Sequence, residues 1–246
     1  MPRFAVILPA AGKSSRFRDR EKKPFVNLDG RAVWMRCAEL FVTRDDVCQC
    51  LIVVAPEDQE MFRRRYQANL AFMNVQIADG GKERFDSVAN ALAKVKEEAE
   101  FVAIHDAARP CVTAELVESV FASAAKTGAA MLALPVTDTI KRSDDRGRVT
   151  ETVPRQGLWL AQTPQVFRRD WLVEAYAKRA QFGKDITDDA QLIEAHGHAV
   201  YLVQGSTMNV KISTREDLTL AEAVLKARPK PKAPRPIHPF EDEYKW

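Results

Sequence analysis

The chain has 246 residues, of which 46% are apolar, enough to bury the core of one large or two small domains; its longest apolar runs fall well short of the roughly 18 residues of a membrane helix. An apolar strand begins directly after Met1-Pro2-Arg3 with no signal-peptide layout, and the four cysteines (Cys37, Cys48, Cys50, Cys111) are too few and too scattered for a disulfide scaffold or a zinc site, so a cytoplasmic protein with no membrane partner is expected. The formal charge of +3 resides in the C-terminal tail, where six Lys/Arg from Lys226 onward face three Asp/Glu; the neutral remainder argues against a nucleic-acid partner and makes any cationic site a local one.

The apolar run 4–8 predicts a buried strand, followed by the small-residue loop Pro9-Ala10-Ala11-Gly12-Lys13-Ser14-Ser15-Arg16, whose backbone N–H groups suit close approach to a nucleotide. Gly12-Lys13-Ser14 looks like the end of a P-loop, but that motif needs a glycine where Ile7 stands, and the dinucleotide fingerprint fails because one glycine occupies a place for three. Arg18-Asp19-Arg20-Glu21 alternates in sign as a solvated loop does. In Lys22-Lys23-Pro24 the proline biases Lys23 towards an extended conformation, and so towards presentation from a loop.

A helix is predicted over 32–42, a strand over 50–55, a helix over 57–68 and a strand over 75–78. Gly80-Gly81-Lys82-Glu83-Arg84-Phe85-Asp86-Ser87-Val88 then opens a helix over 84–96. The paired glycines admit two readings, backbone contact with a base or ribose assisted by Ser87, or an ordinary strand-to-helix turn. After the strand 101–105 comes His105-Asp106-Ala107-Ala108-Arg109-Pro110, which sets a carboxylate and a guanidinium three residues apart at the end of a buried strand. In an open parallel sheet that edge is where ligands collect, so the pair suits a metal and a polyanion. On the hexapeptide alone, a surface turn with a local ion pair stands equally well.

The helix 114–127 is closed by Gly128, and the strand 129–134 follows. Residues 138–153 predict a hairpin with short arms and a polar turn; since an isolated two-stranded ribbon is marginal in water, it is expected to project from the sheet and be held by a second subunit. Arg155, Thr163-Pro164-Gln165, Thr187-Asp188-Asp189 and Asn209-Val210-Lys211-Ile212 complete the chemistry-bearing segments, with a strand over 199–203 among them. Singly each has a structural explanation: Thr187 or Asp188 as the cap of a helix towards Glu194, and Lys211 as a surface residue on an edge strand. The βαβ rhythm predicts a single α/β domain over residues 1–227, its mostly parallel sheet covered by helices on both faces. The tail 228–246, with Pro229, Pro231, Pro234, Pro236 and Pro239 alternating with Lys and Arg, is expected to be extended and disordered.

In order, PAAGKSSRF, KKPF, GGKERFDSV, HDAARP, PVTDTIKR, RQGLWLAQTPQVF, ITDD and NVKI resemble the 2-C-methyl-D-erythritol 4-phosphate cytidylyltransferase family of the non-mevalonate isoprenoid pathway, over nearly the whole chain except the tail. The resemblance implies a twisted sheet of the nucleotide-diphospho-sugar transferase type, a homodimer that exchanges its β-arm, and a divalent cation, usually magnesium. It implies transfer of a cytidylyl group from CTP to a polyol phosphate, with release of pyrophosphate. By motif position, Arg16 and Lys23 would stabilise the transition state at the α-phosphate, and Arg155 and Lys211 would hold the attacking phosphate. Asp106 would serve the metal and the substrate hydroxyls, Arg109, Thr139, Thr163 and Thr187 the acceptor pocket, and Pro9, Ala10, Ala11, Gly12, Gly81 and Ser87 the cytidine side. Ser14, Pro24 and Lys82 depart from the family pattern, and Pro24 leaves both Lys22 and Lys23 as candidates for the working cation.

Such chemistry explains why the motifs pair no histidine with a nucleophile. The attacking phosphate oxygen is already deprotonated at neutral pH, and the barrier is the negative charge gathered in the transition state, which cations relieve. The rival readings are a ribitol 5-phosphate cytidylyltransferase, from which Ala107 in place of a bulkier residue separates this chain, and a catalytically dead nucleotide-binding scaffold. Retention of Arg16, Lys23, Asp106, Arg155 and Lys211 together argues against the scaffold.

Overall fold

Strand β1 (Phe4–Pro9) is buried from Phe4 through Leu8, the mark of a central strand covered on both faces. The computed structural model describes residues 1–12, 17, 21–182 and 186–228; Arg16, Ser14 and the Pro-rich tail beyond Arg228 lie outside the described residues. A short hairpin, β2 (Asn27–Leu28) and β3 (Arg31–Ala32), leads into α1 (Val33–Val42), β4 (Val47–Val54), α2 (Gln59–Phe72), β5 (Val75–Asp79), α3 (Arg84–Leu92) and β6 (Phe101–Ile104). Next come α4 (Ala114–Thr127), β7 (Ala129–Pro135), β8 (Ile140–Ser143), β9 (Val149–Val153) and β10 (Trp159–Arg168). The chain closes with α5 (Arg169–Ala177), α6 (Asp189–Ala195), β11 (Tyr201–Gln204) and α7 (Arg215–Ala227).

The main sheet runs β11-β7-β10-β6-β1-β4-β5. Its neighbours are parallel except β10, which lies antiparallel between β6 and β7. From β1 the chain moves outward to β4 and β5, then returns to place β6 on the other side of β1, with Ile7 opposite Leu51 and Ile104. The loops after β1 and β6 therefore part at a topological switch point, where an open α/β sheet forms its crevice.

Alternation along the strands builds two cores. Phe4, Val6, Leu8, Ile52 and Val54 face α1, α2 and α4 through Trp34, Phe41, Phe62 and Phe121; Ala5, Ile7, Leu51 and Val53 face α3, α5 and α6 through Phe85, Val88, Leu172 and Ile193. A third cluster packs Val224 and Ala221 of α7 and Ile212 against Ala108 and Cys111, which fixes the floor beneath the loop after β6. Helix α4 has the predicted bounds because both ends are capped: the Thr113 side chain accepts from Leu116 N, and Gly128 takes φ 91°. A Cβ at Gly128 would also stand 2.3 Å from the Trp171 ring, so this position is closed to other residues twice over. Three cysteines are buried, Cys48 is partly buried, and all four are free thiols.

The hairpin β8–β9 is a separate two-stranded sheet, with Ile140 opposite Val153 and Arg142 opposite Glu151. Its turn is tied by the Asp144 carboxylate, which accepts from Arg146 N and Arg148 N, and its side chains are mostly exposed. The arm draws little support from its own chain.

Candidate functional site

A cleft of about 910 Å³ opens at the switch point. Its walls are Pro9 to Gly12 after β1, Lys23 and Pro24, Ala55 to Glu57 after β4, Gly80 to Arg84 and Ser87 after β5, Asp106 to Ala108 after β6, and Lys211. Nine of the residues singled out in the sequence thus converge: Pro9, Ala10, Ala11, Gly12, Lys23, Gly81, Ser87, Asp106 and Lys211.

The two lysines of Lys22-Lys23 are sorted by a turn. Phe25 N donates to Lys22 O at 2.9 Å, and the Phe25 ring is locked among Trp34, Phe62 and Tyr66, whose hydroxyl donates to Phe25 O. This anchor leaves Lys23 on the cleft wall, while Lys22 Nζ pairs with Asp58 at 2.5 Å and with the wall residue Glu57 at 3.3 Å.

The paired glycines are demanded by the protein's own packing. A Cβ on Gly80 would stand 2.6 Å from Ala11 Cβ, and one on Gly81 would stand 2.2 Å from Asp86 Cβ, so the loop after β5 is pressed against the loop after β1 and against the first turn of α3. Ser87 lines the cleft, and its Oγ accepts from Gly81 N at 3.0 Å and donates to Glu83 O at 3.0 Å, so it also braces the loop from within.

Asp106 is the electrostatic centre. Lys211 Nζ stands 2.7 Å from its Oδ2 and Arg109 Nε 3.4 Å from the same atom. Burial pushes this carboxyl up, but the charges of Lys211, Arg84 and Arg109 outweigh it and hold the group well below the usual carboxylate range. The reading of Lys211 as a residue of an edge strand does not hold. The segment 209–212 is no strand; it is held by Ile212 N donating to Ala108 O, which brings Lys211 to Asp106.

Behind Asp106 runs a buried chain of hydrogen bonds. Asp106 N donates to Thr163 Oγ1 at 3.0 Å, Thr163 Oγ1 lies 3.2 Å from His105 Nδ1, and His105 Nε2 lies 3.2 Å from Arg109 O. A carbonyl only accepts, so Nε2 carries the proton, Nδ1 of the neutral ring accepts, and the Thr163 hydroxyl donates to it. Burial is what keeps the ring neutral, taking its pKa down to about 4. Arg109 is buried too, its Nη1 donating to Asn209 O at 2.8 Å, and Asn209 Nδ2 donates to Thr163 O at 3.0 Å.

Within one chain, five expected acceptor-pocket or catalytic residues stand off the cleft wall. Arg109 and Thr163 are buried braces of Asp106 rather than wall residues. Thr187 is exposed, with its N and Oγ1 bonded to Gln191 Oε1, and the helix cap is Asp188, which accepts from Gln191 N. Thr139 lies at the base of the arm, and Arg155, just after the arm, donates to Thr137 O. Among the wall residues with no role assigned from sequence is Arg84, 2.6 Å from buried Asp189. The available signal was an arginine in the first turn of a helix, where the dipole disfavours positive charge.

The neutral His105 makes stability depend on pH. Its pKa is depressed on folding from about 6.5 to about 4, so its contribution is fully present above about pH 6.5 and is lost as pH falls towards 4. Urea midpoints measured between pH 7 and 4 should show a loss of roughly 3 kcal/mol from this group. His105→Gln should flatten the profile in that window; slopes equal to those of the native chain would remove His105 from the account.

A switch-point cleft with a small-residue loop on one side and a carboxylate ringed by cations on the other defines an α/β enzyme that handles nucleotide phosphates. The family model described as 2-C-methyl-D-erythritol 4-phosphate cytidylyltransferase matches residues 4–227, and the chain belongs to that family. A relative of that name from Rhodopirellula baltica is 43% identical over 232 residues, 90% of this chain and 94% of the relative. One from Pelotomaculum thermopropionicum is 40% identical over 229 residues, 93% and 96% of the two chains. The crystal structure of the 2-C-methyl-D-erythritol 4-phosphate cytidylyltransferase from Thermus thermophilus is similar in fold, with a TM-score of 0.75 and 31% identity over 92% of this chain and all of the other.

Proposed function

We propose that this chain joins CTP to 2-C-methyl-D-erythritol 4-phosphate, giving 4-diphosphocytidyl-2-C-methyl-D-erythritol and pyrophosphate. The observation that carries the reading is the convergence of the loop after β1, Lys23, Asp106 and Lys211 on one cleft in a chain of this family. An oxygen of the acceptor phosphate attacks the α-phosphorus, a new P–O bond forms, and the bond from the α-phosphorus to the bridging oxygen of pyrophosphate breaks. No proton need leave the nucleophile, which fits a site whose buried histidine is neutral and fully engaged in bracing.

Each cation has a task in this reading. Arg16 and Lys23 balance charge at the α-phosphate, and Lys211 and Arg155 hold the acceptor phosphate. Among the described residues no three His, Cys, Asp or Glu side chains gather as a metal site. A hard divalent ion that takes most of its ligands from phosphates and water needs one or two protein carboxylates, and Asp106 in the cleft fits that requirement. Asp106 would hold magnesium there, and the bound ion would supply charge neutralisation on the triphosphate.

A homodimer and a cytoplasmic location are part of the proposal. Thr139 and Arg155 stand away from their own chain's cleft at the base of the arm, and Leu158, Trp159 and Leu160 of the adjoining segment and Tyr201 and Leu202 of the edge strand are exposed. An exchanged arm would cover apolar surface and carry both polar residues to the partner's cleft. Among the described residues no helix is long and apolar enough to cross a membrane.

The test is pyrophosphate release with CTP and magnesium, offering methylerythritol phosphate and ribitol phosphate separately, with sedimentation of the same sample at micromolar concentration. Turnover with the first acceptor by a dimer is expected. Turnover with ribitol phosphate alone would overturn the substrate, and an active monomer would overturn the exchanged arm.

A further inference from the structure

Arg84 is bracketed more firmly than a wall residue requires. Its Nη2 stands 2.6 Å from Asp189 Oδ2, and the Asp189 side chain is fully buried; Asp189 Oδ1 accepts from the Tyr176 hydroxyl, also at 2.6 Å. Tyr176 belongs to α5 and Asp189 to α6, so two helices packed on the same face of the sheet as α3 fix one arginine of that helix. The bracket uses one end of the guanidinium only. Nη1 is shielded from solvent, and among the described residues it has no hydrogen-bond partner. A buried charged donor left without an acceptor is destabilising, and the fold accepts it here at a helix start that already disfavours positive charge.

Arg84 stands on the same wall as Gly81 and Ser87 and is close enough to Asp106 for the two charges to interact, at the seam between the nucleotide side and the acceptor side. Resting on the reading of this cleft as a cytidylyl-transfer site, we propose that Arg84 is a further ligand-binding residue. Its guanidinium, on a side chain 32% exposed, donates to a phosphate oxygen of a bound substrate, and Asp189 with Tyr176 holds it in the orientation that makes this donation possible. A planar guanidinium pinned at one end is held in a fixed orientation, which is the geometry phosphate recognition favours. The oxygen belongs to CTP or to the polyol phosphate, and the two sources are separable by measurement.

Arg84→Met alone would leave Asp189 buried and unpaired, so the test uses Arg84→Lys, which keeps a charge without the fork, and the double variant Arg84→Met with Asp189→Asn, which removes both charges together. For each, KM is measured for CTP and for methylerythritol phosphate separately, and CTP binding is followed by calorimetry. The double variant should raise one of the two KM values by about tenfold to a hundredfold, with a smaller change in kcat, and Arg84→Lys should recover only part of that loss. A rise confined to CTP, matched in the calorimetric Kd, assigns the donation to the triphosphate; a rise confined to the acceptor assigns it to the acceptor phosphate. Both KM values within twofold of the native enzyme, whatever the thermal midpoint does, would reduce Arg84 to a structural ion pair and overturn the proposal. An inactive native chain would instead count against the cytidylyl-transfer reading, and the calorimetric comparison would still test Arg84 against CTP.

Discussion

Lys23→Ala is expected to lower turnover by about three orders of magnitude while CTP affinity changes by less than about threefold. Lys23 is on the cleft wall, and in the proposed reaction a cation there would act where negative charge accumulates as the α-phosphorus gains a fifth oxygen. The ground-state triphosphate would keep backbone N–H groups of the loop after β1 as partners, so the loss is expected to fall on kcat. Lys22→Ala is the control. Its Nζ is engaged by Asp58 and Glu57, and for this partly exposed pair the change should cost at most about 1 kcal/mol of stability and leave turnover within a few fold. Stopped assays at saturating CTP, with calorimetry for affinity, decide between the two lysines; near-normal turnover in Lys23→Ala together with collapse in Lys22→Ala would reverse the assignment.

The parallel half of the sheet was legible because β1, β4 and β6 are continuous apolar runs that no amphipathic helix imitates, and their observed ends differ from the predicted ones by three residues at most. Strand β10 was not legible. It carries Gln162, Thr163, Pro164 and Gln165 in the middle of the sheet, a composition that signals a loop, and its register with β7 breaks between Ala161 and Gln165. Those polar side chains are buried because partners far along the chain satisfy them: Gln165 bonds Asp188 and Ala190 N, and Gln162 bonds Ser206 O. No periodicity reports such pairing. The site shows the same division. Loop composition and strand ends pointed to the cleft wall, whereas the bracing of Asp106 by Thr163 and of Arg109 by Asn209 joins residues 57 and 100 positions apart and depends on the fold alone. Helix α3 stops at Leu92, short of the predicted 96, and α2 runs to Phe72, past the predicted 68, since only their packed faces fix their length.

Asp106→Asn and Lys211→Met should each lower kcat/KM by about a hundredfold to a thousandfold, and the double variant should be no worse than the poorer single by more than a few fold. Lys211 stands 2.7 Å from Asp106 and helps hold that carboxyl ionised against burial, so removing either side dismantles one unit. The two singles part company in their pH profiles. In the native site the carboxylate persists far into the acid range; without Lys211 its pKa rises, and activity should fall off at a higher pH than in the native enzyme. Asp106→Asn has no carboxyl to titrate and should show no such displaced acid limb. Additive losses in the double variant, or an unchanged acid limb in Lys211→Met, would mean that the two side chains act on the substrates separately. The chain would then hold Lys211 beside Asp106 for packing alone, which its exposed ammonium and the single backbone bond from Ile212 to Ala108 do not require. Coupling is therefore the outcome the geometry favours: a buried carboxylate held ionised by Lys211, Arg84 and Arg109 would, on exchanging the exposed lysine for a bound cation, keep both arginines beside it.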